Sequence, residues 1–368
     1  MHYTIMSDLH LGAGDLLEDF LCWGAHENGP PPAQRAAAVE QMDNSIAAFL
    51  AGRIRDAEVD GQQPHLLLAG DIFDLWQVRR PREKNRDALL RILGAHKQIV
   101  TALRQWTAKG GLLTFVLGNH DQPLVEDAAW EALGEVFPTM NRRSRGKPIH
   151  HFADEASGLY VEHGHQWDPF NRMSNLQKPS ATCAGYRIVR YVVNPLEPMI
   201  PLLDKGADVI DLLMLLWHVG EGEGLAPWQE VARHLAKIIG RAAGPACLLY
   251  DELESFLKGG HGPDFHRVAE AQTRLQEAAL QQAIAGKPGR TIGALPANFR
   301  FLASGHTHLA SLREAGPEGN RIIVGNCGTW RPLVMHRERR MRITQRMTWL
   351  SLAPVKGEWT MKLEEWKN

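Results

Sequence analysis

His65-Leu66-Leu67-Leu68-Ala69-Gly70-Asp71-Ile72-Phe73-Asp74 is a largely apolar run that stops at a glycine and a carboxylate. Its lack of polar alternation fits a strand covered on both faces, as in a parallel sheet between two layers. Upstream, Val39, Met42, Ile46, Phe49, Leu50 and Ile54 recur at helical spacing and predict an amphipathic helix. Before that helix, Tyr3 to Ser7 reads as a strand entering Asp8-Leu9-His10. Downstream, Leu89, Leu90, Leu93, Ile99, Val100, Leu103 and Trp106 predict a second helix that stops at Gly110-Gly111. Leu112 to Leu117 is a third strand, ending at Gly118-Asn119-His120-Asp121, and Leu159 to Glu162 a fourth, running into His163-Gly164-His165. The strand–helix–strand–helix–strand order implies an α/β fold whose sheet has a parallel core.

The pattern changes near Pro169. Residues 169–289 carry no strand signal but several helical ones: Val209 to Val219, Pro227 to Ile239, Leu248 to Leu257 and Phe265 to Ala285. Strands return at Phe301 to Ser304, Arg321 to Gly325, Met347 to Leu352 and Glu358 to Leu363. The expected organisation is one discontinuous α/β domain, residues 1–168 and 290–368, interrupted by a helical insertion over 169–289 that serves as a lid or partner-binding element. The apolar Val209–Trp217 segment is read first as a core helix of that insertion and second as an acyl-chain or partner groove.

Composition narrows the function classes. Lys plus Arg (41) nearly cancel Asp plus Glu (42), leaving a net charge of -1, which disfavours a general polyanion binder. A hydrophobic content of 44% is ordinary for a globular chain and disfavours disorder. Cys22, Cys183, Cys247 and Cys327 form no C-x-x-C pair, fitting neither a disulfide framework nor a thiolate zinc site. Met1-His2-Tyr3-Thr4-Ile5-Met6 has no basic segment leading into an apolar one, and Ile210 to Trp217 is far shorter than the ~20 residues of a spanning helix. A cytoplasmic protein, at most peripheral to a membrane, is the expectation. The unusual count is histidine, 17 of 368 residues.

Six of those histidines fall in five short motifs: Asp8-Leu9-His10, Gly70-Asp71-Ile72-Phe73-Asp74, Gly118-Asn119-His120-Asp121, His163-Gly164-His165 and Gly305-His306-Thr307-His308. Taken singly, Asp8/His10, Gly70-Asp71 and Asn119-His120-Asp121 would pass as polar turns. His306 and His308 are harder to dismiss, because i, i+2 side chains on extended backbone share a side. All five sit at predicted strand ends, where open α/β sheets form their ligand crevice. Carboxylates, imidazoles and one amide make a mixed oxygen and nitrogen donor set suited to divalent transition ions.

The motif order D-x-H, G-D-x-x-D, G-N-H-D, H-G-H, G-H-x-H resembles that of the calcineurin-like metallophosphoesterases, over about residues 1–168 and 295–368. The resemblance implies a four-layer αββα sandwich with two divalent metal ions at one end, Mn2+ first, with Fe, Zn or Co as alternatives. It implies Asp8, His10 and His308 as ligands of one ion, Asn119, His163 and His306 as ligands of the other, and Asp71 as the bridge. His120 matches the catalytic histidine, Asp121 the carboxylate that orients it. Asp74 supports the loop or a ligand imidazole, and His165 is left between substrate and supporting roles. The implied reaction is hydrolysis of a phosphodiester or phosphomonoester by a metal-bridging water, with ions ~3.5–4 Å apart and His120 as acid or transition-state stabiliser.

Gly70 to Trp76 is also similar to the UDP-2,3-diacylglucosamine pyrophosphohydrolases, which place a helical, acyl-gripping lid before the final G-H-x-H. A lipid-linked substrate is therefore the alternative to a small phosphate ester. Asn326 to Trp330 looks like the end-strand of broader phosphoesterases, which keeps the general reading in front. A third reading, of another class, is a non-catalytic scaffold of the same fold; the retained ligand positions favour an enzyme. Two basic clusters, Arg79, Arg80, Arg82, Lys84 and Arg86, and Arg331 through Arg346, are read by default as solvated faces. Arg80 is the candidate from the first to reach a phosphate, and the clusters keep nucleic acid or an anionic membrane surface as secondary partners.

Overall fold

The computed structural model describes residues 1–14, 32–80, 82–141, 143–144, 147–179, 183–196, 232–233, 235–237, 245–258, 264–287, 291–316, 321–337 and 340–367. The Val209–Val219 segment and most of Pro227–Ile239 lie outside them.

Strands β1 (His2–Met6), β2 (Pro64–Ala69) and β3 (Leu112–Val116) pair in parallel, β2 in the middle. Crossovers run through helix α1 (Pro32–Val59) and the pair α2 (Leu75–Val78) and α3 (Asn85–Ala95) with α4 (Lys97–Ala108). Helix α5 (Asp127–Val136) follows β3. Two short pieces, β4 (Arg143–Ser144) and β5 (Lys147–Pro148), precede β6 (His151–Asp154) and β7 (Leu159–Glu162). After the helical stretch the strands resume as β8 (Phe301–Ser304), β9 (Ser311–Ala315), β10 (Ile322–Asn326), the hairpin β11 (Leu333–Arg337) and β12 (Arg340–Thr344), and finally β13 (Met347–Val355) and β14 (Glu358–Trp366). One five-stranded sheet has the order β14-β13-β1-β2-β3, the other β6-β7-β8-β10-β9. Both mix parallel and antiparallel neighbours.

Strand β2 shows why this is a four-layer sandwich. Leu67 and Ala69 face the second sheet, in a core with Tyr3, Ile5, Leu159, Val161, Phe301, Ala303, Cys327, Leu350 and Leu352. Leu66 and Leu68 point the other way, against Ile46, Phe49 and Leu50 of α1, Leu89 of α3 and Leu103 of α4. The alternation of a pleated strand thus serves two cores at once, and both demand apolar residues. At roughly 1.5–3 kcal/mol per buried aliphatic side chain, these two interfaces dominate the stability of the sheet.

The helical region divides between two tasks. Ala184–Ile188 (α6) continues through a π turn, Val189–Val193, into Asn194–Leu196. Its Ile188, Val192 and Val193 share a core with Leu249, Leu253 and Phe256 of α7 (Pro245–Leu257), and with Phe265 and Val268 of α8 (Phe265–Ile284). The far end of α8 does something else. Leu280 and Ile284 lie on the outer face of the second sheet against Leu302, Ala315, Ile322 and Val324. The sequence places this helix wholly in the insertion; its C-terminal half is the fourth layer of the sandwich, because that sheet face is apolar and needs cover. No helix among the described residues is long and apolar enough to cross a membrane.

Candidate metal centre

The five motifs sit at the carboxyl ends of β1, β2, β3, β7 and β8, and the two sheets bring those ends together. Backbone bonds hold the loops: Asp8 N–H donates to the Gly70 carbonyl at 3.0 Å, His10 N–H to the Asp71 carbonyl at 2.9 Å, and Gly305 N–H to the His163 carbonyl at 3.0 Å. The motif glycines make room. A Cβ on Gly118 would collide with the Asp71 carboxylate, and one on Gly305 with Ser7 and Asp8. Gly70 has φ +92°, and a Cβ there would meet the His163 ring. Five of the expected ligands pay a backbone cost: Asp8, His10, Asp71, His306 and His308 all have positive φ, between 45° and 72°. Left-handed backbone costs roughly 1–2 kcal/mol for such residues, and its concentration here is a mark of a functional site.

Each carboxylate is held by one oxygen and offers the other. Asp8 Oδ2 accepts from the His306 N–H at 2.9 Å and from the Ser7 hydroxyl, while its buried Oδ1 has no hydrogen-bond partner. Asp71 Oδ1 accepts from the His120 N–H at 2.7 Å. Its Oδ2 lies 3.0 Å from His163 Nε2 and 3.9 Å from His10 Nε2, between the two histidine sets. His163 Nδ1 donates to the Ala69 carbonyl at 3.0 Å, which leaves Nε2, buried and without a hydrogen-bond partner, as the nitrogen that could face an ion. Asn119 Oδ1 is likewise buried and unpartnered. His10 Nε2 and His308 Nε2 are 3.2 Å apart, and His308 Nε2 is 3.3 Å from Asp8 Oδ1.

Three overlapping groups therefore have the spacing of metal ligands: Asp8, His10 and His308; His10, Asp71 and His120; and Asp71, His163 and His306. The first holds Asp8, His10 and His308, the third His163 and His306, and Asp71 is common to the second and third. Buried donor atoms left unpaired are costly, and a cation is what such a set accommodates. The electrostatics agree. Burial and Arg331 push His10 down, but Asp74 and Asp8 outweigh them and carry it up to about 10. Burial opposes the charged form of His163 too, yet Asp71 and Asp8 raise it to about 9. The cluster is rich in negative charge and draws cations to it.

His120 departs from expectation in its partner. Its Nδ1 donates to Asp74 Oδ1 at 2.7 Å, and the other Asp74 oxygen accepts from His10 Nδ1 at 3.1 Å. Asp121, expected to orient His120, turns away. It accepts from the N–H groups of Phe73 at 2.9 Å, Gly118 at 3.1 Å and Ile72 at 3.3 Å, tying two motif loops together. Burial, then the Asp71 charge, pushes the Asp121 carboxyl up to about 7. Adjacency in sequence misleads here because successive side chains in irregular backbone diverge. The His120 ring is packed by Trp76 at 4.5 Å and met edge-on by His10 at 4.6 Å.

The remaining assignments separate. His165 is fully buried between His163 and His306, and burial, followed by their charges, holds its pKa well below the usual value. Arg80 stands outside the cluster, exposed, with its N–H bonded to Glu83 at 2.8 Å. Two residues the sequence did not single out for the site are in it. Buried Arg331 donates from Nη2 to His308 Nδ1 at 3.1 Å, and buried Asp168 pairs with His306 Nε2 at 2.9 Å. Asp168 lies in no motif, and Arg331, read from sequence as part of a solvated basic face, is instead buried against His308.

Comparison with known proteins follows the same lines. A search of curated proteins finds no match. Among solved structures, the chain is similar to the sulfate thiohydrolase SoxB of Thermus thermophilus, solved with glycerol, at 10% identity and a TM-score of 0.35. That alignment covers 99% of this chain and 56% of SoxB, so the chain spans little more than half of that protein. The family model for calcineurin-like phosphoesterases matches residues 1–238, which include four of the five motifs. The chain belongs to the calcineurin-like phosphoesterase family.

Proposed function

We propose that this phosphoesterase is a dinuclear, metal-dependent hydrolase of phosphate esters, with Asp8, His10 and His308 around one ion, Asn119, His163 and His306 around the other, and Asp71 shared. One observation carries the reading: Asp71 Oδ2 lies between His163 and His10, while Asp8 Oδ1, Asn119 Oδ1 and His163 Nε2 are buried with no hydrogen-bond partner. Manganese is the first choice of ion, and Fe, Zn or Co suit the same donors. Bound ions would supply a water nucleophile of lowered pKa and neutralise charge on the phosphoryl oxygens.

The chain's own residues do the rest. Asp74 holds the His120 Nδ1–H, so that in its imidazolium form the ring carries its second proton on Nε2, the proton it can give to the ester's leaving oxygen. Trp76 and His10 clamp the ring, so little orientation is lost on reaching the transition state. His120 then stabilises or protonates that oxygen. Asp121 holds the Phe73 and Gly118 loops together and acts through them.

A narrower reading is a lipid-linked pyrophosphate substrate. It is favoured by a cleft of about 330 Å³ beside Trp76, whose lining mixes Leu75, Pro123, Pro179 and Tyr186 with the charged pairs Arg79, Lys84 and Glu83, Glu126, between the catalytic layers and the helical region. In this reading the residues between Pro169 and α8 act as the lid. A cytoplasmic location is part of the proposal, in keeping with the buried free thiols of Cys183 and Cys327.

The test is a hydrolysis screen with added Mn2+, paired with elemental analysis. It compares phosphomonoesters, aryl and cyclic phosphodiesters, nucleotide-sugar pyrophosphates and single-stranded nucleic acid. Asp71→Ala should lose metal and activity together, whereas His120→Ala should keep metal and lose turnover. Protein with neither bound metal nor metal-stimulated hydrolysis would be a scaffold, and wild-type rates in the His120 variant would remove that residue from the mechanism.

A further inference from the structure

His306 and His163 are both expected on the same ion, yet they are held differently. His163 donates from Nδ1 to a backbone carbonyl, a partner fixed by β2 itself. His306 donates from Nε2 to a side chain, Asp168 Oδ2, at 2.9 Å. Asp168 is 2% exposed, and its carboxylate has three further donors. Asn171 Nδ2 reaches Oδ2 at 2.7 Å, Phe170 N–H reaches Oδ1 at 2.9 Å, and Gln272 Nε2 of α8 reaches Oδ1 at 3.3 Å. Four donors fill the acceptor capacity of a carboxylate and lock its rotamer. Asn171 is itself pressed against Gly185 of α6, where a Cβ would collide with its amide. The carboxylate that orients His306 is thus anchored on the helical region.

We infer that Asp168 is a positioning residue for the metal centre, holding His306 in the tautomer whose proton is on Nε2 and whose Nδ1 lone pair is free for the ion, and that it couples the helical region to metal affinity. The inference rests on the reading above that His306 is a ligand. Its chemistry is specific. A carboxylate can only accept, so it enforces a proton on Nε2. An amide in its place can turn its NH2 toward the ring and stabilise the opposite tautomer, which has no lone pair on Nδ1. The change is isosteric, so its main consequence should fall on the ring nitrogen.

The experiment is Asp168→Asn in the full-length chain, with Mn2+ alone as probe. Calorimetric titration should show one of the two ions bound about 10–100-fold more weakly than in wild type. Long-range nitrogen–proton spectra of metal-free protein labelled at histidine should show His306, identified by its loss in His306→Gln, protonated on Nε2 in wild type and shifted toward Nδ1 in the variant. A purely structural role for Asp168 would lower the melting temperature and leave both the affinity of the folded protein and the tautomer unchanged; that result overturns the inference. If the variant does not fold, the wild-type spectrum still decides, since His306 protonated on Nδ1 is incompatible with the proposed role. Wild-type protein that binds no Mn2+ overturns the metal reading itself, whereas wild-type binding with unaltered affinity in Asp168→Asn overturns only the role of Asp168.

Discussion

At the scale of single residues, Asp74 keeps the expected support of a ligand imidazole, His10, and also takes the contact with His120 that sequence suggests for Asp121. Asp121 follows His120 directly and was the natural orienting group; Asp74, from a different motif, is the one that touches it. The motif residues themselves were legible because glycine, carboxylate and imidazole spacing survives in one dimension. Their pairing was not, since it depends on loop backbone with positive φ at non-glycine residues such as Asp71 and His306, which no residue type announces. The Asp74 contact makes a prediction. Asp74→Asn keeps a good helix cap for Gln77 N–H but loses a carboxylate shared by His10 and His120. Turnover should fall about 10–100-fold with little change in melting temperature. Asp121→Asn should do the reverse, because one amide oxygen cannot serve three buried N–H donors, at about 1–3 kcal/mol for each left unsatisfied. Parallel kinetics and thermal melts on both variants check this. A strong turnover defect confined to Asp121→Asn at unchanged stability would restore the original pairing.

At the scale of elements, strands with apolar runs were visible and the two edge strands of the second sheet were not. β1, β2, β3, β7 and β8 are buried along most of their length and read correctly from their apolar runs. β6 and β9 close the two edges of the second sheet, and four of five β9 residues are exposed, so no burial pattern marks them. The helix predicted from Leu89 to Trp106 is two, because His96 ends α3 and begins α4 while its ring pairs with Asp43 of α1 at 2.7 Å. Within β2, His65 is the polar exception. It is 5% exposed and reaches only the Thr114 hydroxyl, at 2.8 Å, while packing against Tyr3. Burial pushes it down to about 4, against a weaker opposing pull from Asp154. Between about pH 4 and 6.5 the unfolded chain therefore binds the proton that the folded chain refuses. Stability from this site is intact above pH 6.5 and is lost as pH falls, on the order of 3 kcal/mol in all. Urea unfolding of metal-free protein from pH 7 to 4 should show a steeper acid loss in wild type than in His65→Gln. Coincident pH profiles would mean that His65 titrates normally in the fold.

At the scale of the whole molecule, a nearly neutral chain concentrates six histidines and five aspartates at the meeting point of two sheets, and the helical region grips that point from two sides. Asp168 is one grip. The other is α2, a four-residue helix too short to hold its own shape. Its carbonyl end is capped from the segment that continues α6: Arg190 donates to the Arg79 carbonyl at 2.6 Å, and Asn194 to those of Trp76 and Gln77 at 3.3 and 3.1 Å. These donors satisfy carbonyls that a helix end leaves free. Trp76, inside this turn, is the residue packed on His120. Loosening the cap should therefore reach the chemistry without touching a metal ligand. In an Arg190→Ala, Asn194→Ala double variant, amide exchange in Trp76–Val78 should quicken by about fivefold for each bond lost, at roughly 1 kcal/mol apiece. Turnover of a small aryl phosphodiester should fall with it while metal content stays at the wild-type level. If exchange in α2 is unchanged, these three hydrogen bonds do not hold the turn, and the cap has no part in supporting the site.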